Sequence, residues 1–480
     1  MNYSVIRYIL GWILKLEGAF MLIPFGISFI YRESNGVYLL LTAALCFALG
    51  FVFSWEKPKN SDFFAKEGFV TVSLSWIILS IMGALPFVFS GEIPRFTDAL
   101  FETVSGFTTT GASILPVASA LSHGMQFWRC FTHWIGGMGV LVFMLAVLPS
   151  AGGQNIYLMR AESPGPTVGK LVPRIQTTAK VLYGIYFGMT VIQFLLLLLA
   201  KMPAFDAICT TMGTAGTGGF GVQDDSIASY SPAIQNIVTV FMFLFGVNFN
   251  FYFLFLMKKF KDALCLEEVR AYFGLFLGAS ILITINLLSI SGNFLQNFQQ
   301  AAFQVSSVMT TTGFATTDFN QWPEFSKAIL VLLMFCGACA GSTGGGIKIS
   351  RLLIYIKSMR KDLERMVHPR SVKTLKMDGK AISKDVIHST NIYLFIFFFL
   401  FAISVLIISL DGYDFTTNFT AVAATINNIG PGLELVGPAS NYALFGDLSK
   451  YVLIFDMIVG RLEIFPMLVL LAPGTWMNRK

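Results

Sequence analysis

The tetrad Thr-Thr-Thr-Gly occurs at 108–111 and again at 310–313, each time at the end of a short apolar segment of this 480-residue chain. Threonine hydroxyls and backbone carbonyls are neutral oxygen donors, the ligands that replace water around a monovalent cation at close range. Aligned without gaps, "DALFETVSGFTTTGA" (98–112) and "QAAFQVSSVMTTTGF" (300–314) share Ala, Phe, Ser and the whole tetrad. Two further segments, "AFDAICTTMGTAGTGGF" (204–220) and "TTNFTAVAATINNIGPG" (416–432), occupy the equivalent place between consecutive apolar runs. Taken by their central glycines they align at Gly111, Gly218, Gly313 and Gly430, spaced 107, 95 and 117 residues apart. Glycine reaches backbone angles closed to other residues and leaves a narrow passage unblocked. The candidate cation-binding set is therefore Thr109, Thr110 and Gly111; Gly216, Thr217 and Gly218; Thr311, Thr312 and Gly313; and Asn428, Ile429 and Gly430.

These loops need elements to hold them, and the composition says in what solvent. With 55% hydrophobic and 12% charged residues, the chain exceeds what a water-soluble core requires, and it reads as an integral membrane protein. Apolar runs fall near 9–31, 37–54, 69–90, 126–149, 175–200, 233–257, 268–290, 327–341, 386–410 and 449–472, which predicts ten spans. The first is long enough to span and lacks a small-residue cleavage site, so it is expected to be retained. Each tetrad-type segment is too short to span and ends in glycine, as a re-entrant hairpin would. The repeating unit is span, short helix, glycine loop, span. It occurs four times in the same orientation after two extra spans, which places the repeats in parallel around an axis along the membrane normal. The expected fold is an all-α integral membrane protein with four parallel helix–pore-loop–helix repeats around a pseudo-fourfold pore, preceded by two extra transmembrane helices. The expected units are 1–66, 67–172, 173–265, 266–383 and 384–480.

Positive charge sets the expected orientation. Lys57, Lys59 and Lys66, then Arg160, Lys170 and Arg174, then Lys258, Lys259, Lys261 and Arg270 mark alternate loops, and 348–385 carries eleven Lys/Arg against four acids. These loops, and both termini with them, are predicted to be cytoplasmic. Asp98 and Asp206, near the starts of two short helices, suit positions that satisfy free N–H groups. Glu92, Asp224, Asp225, Asp318, Glu434 and Asp447 in the opposite loops either concentrate cations at a mouth or form a solvated rim.

Other chemistry is poorly supported. "GTGGFG" (216–221) matches a dinucleotide fingerprint without the strand that must precede it, and "GSTGGGIK" (341–348) has Ile347 where a phosphate loop needs lysine. "CGAC" (336–339) follows an apolar run rather than a βαβ pattern, so packing of small residues accounts for it. The histidines form no metal constellation, and His133 and His388 are too scattered for an embedded enzyme. No covalent cofactor and no nucleic-acid partner are expected.

Two features in the later spans point to control. "GACAGSTGGG" (337–346) breaks the second span of the third repeat, where Gly341, Gly344, Gly345 and Gly346 disfavour continuous helix. A segment of such small residues can move across a cavity, and the alternative is a close-packed kink. Lys348 is expected to mark the cytoplasmic boundary. Arg461 sits midway along the last span, where arginine costs roughly 2.5–3.5 kcal/mol. Such a residue is expected either to raise a barrier to cations or to pair structurally with Asp456 and Glu463.

The chain resembles the Trk/Ktr/HKT superfamily of potassium transporters, most closely its TrkH/TrkG branch. The resemblance rests on "SGFTTTGAS", "GTGGF", "MTTTGF" and "NNIGPG", with "HWIGGMG" (133–139), "GSTGGGIK" and "GRLEI" (460–464). It implies potassium uptake across the cytoplasmic (inner) membrane, with K+ held at the four loops and the 337–346 break acting as an intramembrane gate. It also implies a homodimer surrounded by membrane lipids, docked on a cytoplasmic TrkA-like ring through which nucleotide would act. The second and fourth loops depart from Thr-Thr-Thr-Gly, which leaves a sodium-carrying or poorly selective relative open.

Overall fold

The computed structural model describes residues 1–58, 63–139, 175–370 and 374–477. The chain opens with an antiparallel pair, α1 (Tyr3–Ile30) and α2 (Gly36–Phe53). Small residues let these two backbones approach: a Cβ built on Gly11 would lie 2.8 Å from the Gly50 carbonyl, and one on Gly50 would lie 2.8 Å from the Gly11 carbonyl. In a bilayer, where lipid tails are as apolar as leucine, such close backbone packing drives helix association.

The first repeat comprises α3 (Ala65–Ser90), α4 (Phe96–Phe107) and α5 (His123–Met138). The second comprises α6 (Ile175–Leu199), α7 (Ala204–Gly216), α8 (Pro232–Phe245) and α9 (Phe249–Leu256), followed by the connecting turn α10 (Phe260–Leu264). The third comprises α11 (Glu267–Leu287), α12 (Phe294–Met309), α13 (Glu324–Met334) and α14 (Ile349–Val367), and a two-residue-stranded hairpin, β1 (Lys376–Met377) with β2 (Lys380–Ala381), follows it. The fourth comprises α15 (Lys384–Ile408), α16 (Phe415–Ile426), α17 (Asp447–Arg461), α18 (Phe465–Leu471) and α19 (Pro473–Trp476). One apolar core joins the pieces, running from Leu14 and Trp76 through Phe107 and Trp128 to Ile426 and Met457. Large side chains such as Leu199, Phe395 and Leu406 face outward instead, as lipid-covered surfaces require.

The short segments expected to re-enter are helices of 12 (α4), 13 (α7), 16 (α12) and 12 (α16) residues. The reading of ten spans, with a break expected only at 337–346, differs from the backbone at further places. Among the described residues six helices are long and apolar enough to cross a membrane, or seven if α8 and α9, bent by 90°, count as one. In the second, third and fourth repeats the second span is interrupted, α8 ending at Phe245, α13 at Met334 and α17 at Arg461, while α5 ends at Met138 at the edge of the described residues. Window hydropathy measures side chains only, so it read through these breaks. The positive-φ residues Gly139, Gly341, Gly346, Glu463 and Ile464 mark where three of the four backbones turn out of helix. The part 140–149 of the predicted run 126–149, the loop cations Lys59, Arg160, Lys170 and Arg174, and the 172/173 unit boundary lie outside the described residues.

Asp98 and Asp206 occupy first-turn positions, but neither satisfies helix N–H groups by its side chain. Asp98 accepts the Lys450 Nζ proton at 2.6 Å, tying the first repeat to the fourth, and Asp206 accepts from the Tyr230 hydroxyl at 2.8 Å. Among the four short helices, Asp414 at the start of α16 acts this way. It takes the Thr417 N–H at 2.9 Å and the Thr417 hydroxyl at 2.6 Å, and those bonds hold its carboxyl below the usual range.

Candidate functional site

Each of the four short helices ends in the same way. At α4, α12 and α16 the cap residue keeps near-helical angles and the next residue turns left-handed: Thr109 (φ 56°), Thr311 (φ 59°) and Asn428 (φ 56°). At α7 the left-handed residue is Thr217 (φ 56°). Their N–H groups donate to Gly106, Val308, Thr425 and Thr214 respectively, at 3.0–3.1 Å. The following residues, Thr110, Thr312, Ile429 and Gly218, donate five positions back at 2.8–2.9 Å. This pair of bonds is a Schellman motif, which normally places glycine at the left-handed position. Here a side chain stands there four times, and a left-handed residue with a Cβ costs free energy that persists only where surroundings enforce it.

The shared motif fixes the register, and it corrects the sequence alignment of the second loop. Two residues after each left-handed threonine or asparagine comes a left-handed glycine: Gly111 (φ 80°), Gly219 (φ 76°), Gly313 (φ 85°) and Gly430 (φ 98°). The residue equivalent to the other central glycines is thus Gly219, and the second segment reads Thr217-Gly218-Gly219 rather than Gly216-Thr217-Gly218. "GTGG" offers three glycines, and composition cannot say which one bends. Gly216 ends α7, where a Cβ would strike the His133 carbonyl at 2.1 Å, and at Gly218 a Cβ would strike the His133 ring at 2.2 Å.

The glycines also show how the loops meet. A Cβ on Gly111 would lie 2.0 Å from the Gly218 carbonyl oxygen, one on Gly219 1.9 Å from that of Thr312, one on Gly313 2.1 Å from that of Ile429, and one on Gly430 2.7 Å from that of Thr110. Each loop therefore abuts the next, and the fourth returns to the first, closing a ring in chain order. One cavity on the loop side is lined by Gly111, Gly219, Gly313 and Gly430 together. The C-terminal ends of four helices converge on the same ring, adding their partial negative charge. Thr109 Oγ1 and Asn428 Oδ1 are buried there with no protein hydrogen-bond partner among the described residues. Of the six outer acids, Asp224 lines the cavity. Glu92 holds Asn35 and Ser122, and Asp447 pairs with Arg95.

Residues to which the sequence reading gave no role at the loops brace the ring from behind. Glu102 on α4 takes the Arg129 Nε proton at 2.6 Å, the Ser113 hydroxyl at 2.9 Å and the Ile114 N–H at 2.9 Å, while Arg129 donates to the Gly221 carbonyl at 3.0 Å. The pair is fully enclosed, and it ties the first loop to the second. His133 does the same one layer deeper. Its Nδ1 faces the Gly106 carbonyl at 2.7 Å, so that nitrogen carries the proton, and its Nε2 accepts the Phe220 N–H at 3.3 Å. Tyr442 donates to the Gly430 carbonyl at 2.6 Å. A charged pair inside an apolar run was the available signal for Glu102 and Arg129; nothing in the sequence singles out Tyr442.

On the other side of the ring lies the segment between α13 and α14. Gly345 N–H donates to the Thr311 hydroxyl at 2.7 Å, and a Cβ on Gly344 would sit 3.0 Å from the Thr310 carbonyl. A Cβ on Gly345 would sit 2.8 Å from Asn428 Cβ, and one on Gly346 3.3 Å from Asn427 Oδ1. Gly341 stands apart from the ring, near Asn248. Arg461 reaches this segment too, donating to the Thr343 carbonyl at 2.8 Å and to the Gly136 and Gly137 carbonyls at 2.5 and 2.8 Å. Its expected structural partners are engaged elsewhere: Glu463 pairs with Arg351, and Asp456 accepts from Ser404. Lys348 does not mark a boundary. It is buried, and its ammonium turns back onto the Gly344 and Gly345 carbonyls.

Comparison with known proteins agrees with this architecture over the whole chain. A family model named TrkH and described as "Cation transport protein" matches residues 37–478. The Trk system potassium uptake protein TrkH of Salmonella typhimurium is 37% identical over 99% of this chain and 100% of its own length. The Trk system potassium uptake protein TrkG of Escherichia coli is 32% identical over 99% of both chains. The crystal structure of the potassium transporter TrkH from Vibrio parahaemolyticus superposes with a TM-score of 0.88 at 34% identity, covering 99% of this chain and 100% of that one. These relatives are named as transport proteins and not as enzymes. On a family match spanning nearly its entire length, the chain belongs to the TrkH family of cation transport proteins.

Proposed function

We propose that this chain takes up potassium across the cytoplasmic membrane through the ring formed by Thr109-Thr110-Gly111, Thr217-Gly218-Gly219, Thr311-Thr312-Gly313 and Asn428-Ile429-Gly430. The observation that carries the reading is the closed order of contacts, first loop to second, third, fourth and back, with each left-handed glycine against its neighbour's carbonyl. Backbone outside helix at membrane depth is tolerated where it is buried in protein or lines a cavity. Rings of carbonyls joined by threonine hydroxyls suit a dehydrated potassium ion. The names of the relatives, potassium uptake proteins, support the choice of ion.

The segment 335–348 acts in this reading as a gate that seals the ring from within, and Arg461 holds it by the Thr343 carbonyl. The positive loops and both termini face the cytoplasm, where a nucleotide-binding ring docks on the homodimer. Asn428-Ile429-Gly430 in place of a third Thr-Thr-Gly favours a second, narrower reading in which discrimination against sodium is incomplete.

The test is uptake of rubidium and of sodium into vesicles carrying purified protein. Wild type is expected to prefer rubidium, and Gly313→Ser, whose side chain would meet the Ile429 carbonyl, is expected to keep transport and lose preference. A sodium flux equal to that of rubidium in wild type, or unchanged selectivity in the variant, would overturn the assignment.

A further inference from the structure

The segment between α13 and α14 is tied at its middle, Ala340, and to the first turn of α14, Ser350, by one carboxylate from elsewhere in the chain. Glu268, in the first turn of α11, accepts the Ala340 N–H at 2.7 Å and the Ser350 N–H at 3.0 Å, both on Oε1. Its other oxygen faces the Asn248 amide at 3.4 Å. The side chain is buried, 6% exposed. A buried carboxylate in a membrane protein is costly, and it survives where it does specific work.

The sequence explains why an acceptor is needed there. The residue at the N-cap of α14 is Lys348, which can donate but not accept, and it makes no side-chain cap bond. The first N–H groups of a helix require acceptors, and a negative group at that end is favoured by the dipole. Glu268 supplies to α14 from a distance what a serine or aspartate would supply locally. Glu267 fixes the same turn from the other side by pairing with Lys357, while its N–H donates to the Asp378 carboxylate in the β1–β2 turn and its own carboxylate accepts the Asp378 N–H. The break in the second repeat is sewn to the segment as well: Cys339 N–H donates to the Gly246 carbonyl at 3.0 Å, and Phe249 N–H to the Gly341 carbonyl at 3.0 Å.

We propose that Glu268 is the staple that keeps 340–350 closed against the ring, joining the breaks of the second and third repeats into one moving unit. Its consequence for flux rests on the gate reading above; the staple itself does not. Glu268 is a positioning residue, acting on the segment and not on the ion.

Cys339 is a native reporter, fully buried and directly preceding the stapled residue Ala340. The experiment uses full-length protein in vesicles, with N-ethylmaleimide labelling of Cys339 followed by peptide mass spectrometry and the exposed Cys265 as internal reference. Rubidium uptake is read on the same preparations. Two variants separate reach from charge. Glu268→Asp keeps the charge but is one methylene too short to serve both N–H groups. Glu268→Gln loses the charge yet keeps an oxygen at the same place. Labelling of Cys339 is expected to rise about tenfold in Glu268→Asp, the factor equivalent to one charge-assisted hydrogen bond of about 1.4 kcal/mol. In Glu268→Gln it is expected to stay within about threefold of wild type. Unchanged labelling in the monodisperse Asp variant, or a Gln variant that labels as fast as Asp, overturns the staple. Faster labelling in Asp without faster rubidium uptake leaves the staple standing and refutes the gate.

Discussion

Gly218 and Gly219 are adjacent and chemically identical, yet the structure assigns them obstacles of different kinds. An alanine at 219 must adopt φ 76° and place its Cβ 1.9 Å from the Thr312 carbonyl oxygen. Side-chain contacts do not fall below 3.0 Å, so a backbone carbonyl of the ring would have to retreat by about 1 Å. The left-handed conformation costs about 1–2 kcal/mol in addition. Nothing short of rebuilding the third loop relieves that. An alanine at 218 has no backbone penalty of this kind, and its Cβ meets the His133 imidazole, 2.2 Å from Nδ1. Truncating His133 to alanine clears the ring, at the expense of leaving the Gly106 carbonyl and Phe220 N–H unmatched, about 1–3 kcal/mol. A double-mutant cycle between Gly218→Ala and His133→Ala should therefore show a favourable coupling of about 1–3 kcal/mol, read from the melting of detergent-solubilised protein. The rubidium-to-sodium uptake ratio of the double variant should return to that of His133→Ala alone. The pair Gly219→Ala with His133→Ala should show no rescue and should lose selectivity outright. Rescue of Gly219→Ala by His133→Ala, or failure to rescue Gly218→Ala, would refute the register.

Two further outcomes are expected. Arg461→Ala removes the donor that holds the Thr343, Gly136 and Gly137 carbonyls, and it should raise rubidium flux severalfold at equal protein abundance; flux that is unchanged or lower counts against a barrier at that position. Glu102→Gln leaves the Arg129 charge buried without its carboxylate, a loss of about 3–5 kcal/mol that should appear as a clear fall in melting temperature and as sodium leak through the ring. A variant that melts with wild type would show that the pair does not brace the loops.

Much of the plan was legible because it is written in hydrophobicity and repetition. A bilayer leaves few solutions for a chain this apolar, so spans, short re-entrant helices and a fourfold repeat could be read from run lengths and from Thr-Thr-Thr-Gly. The breaks in the second spans were visible only where glycines crowd, at 341–346. At α8–α9 and after Arg461 a single polar residue, Asn248 or Glu463, stands in an otherwise apolar stretch where the backbone turns, and a window average has no term for φ and ψ. Asp98 shows a similar limit: its place at a helix start was readable, whereas its partner Lys450 lies 352 residues away.

By itself, then, the sequence determined the solvent, the number of repeats and the four segments that supply the loops, since those follow from local composition and period. Only tertiary structure decided that Gly219 and not Gly218 is the bending glycine, that His133, Arg129 and Tyr442 brace the loops, and that Glu268 spans the break between α13 and α14. Each of these depends on which backbone oxygen stands opposite which atom of a distant segment. That is a property of three-dimensional packing, on which neighbouring residues along the chain carry no information.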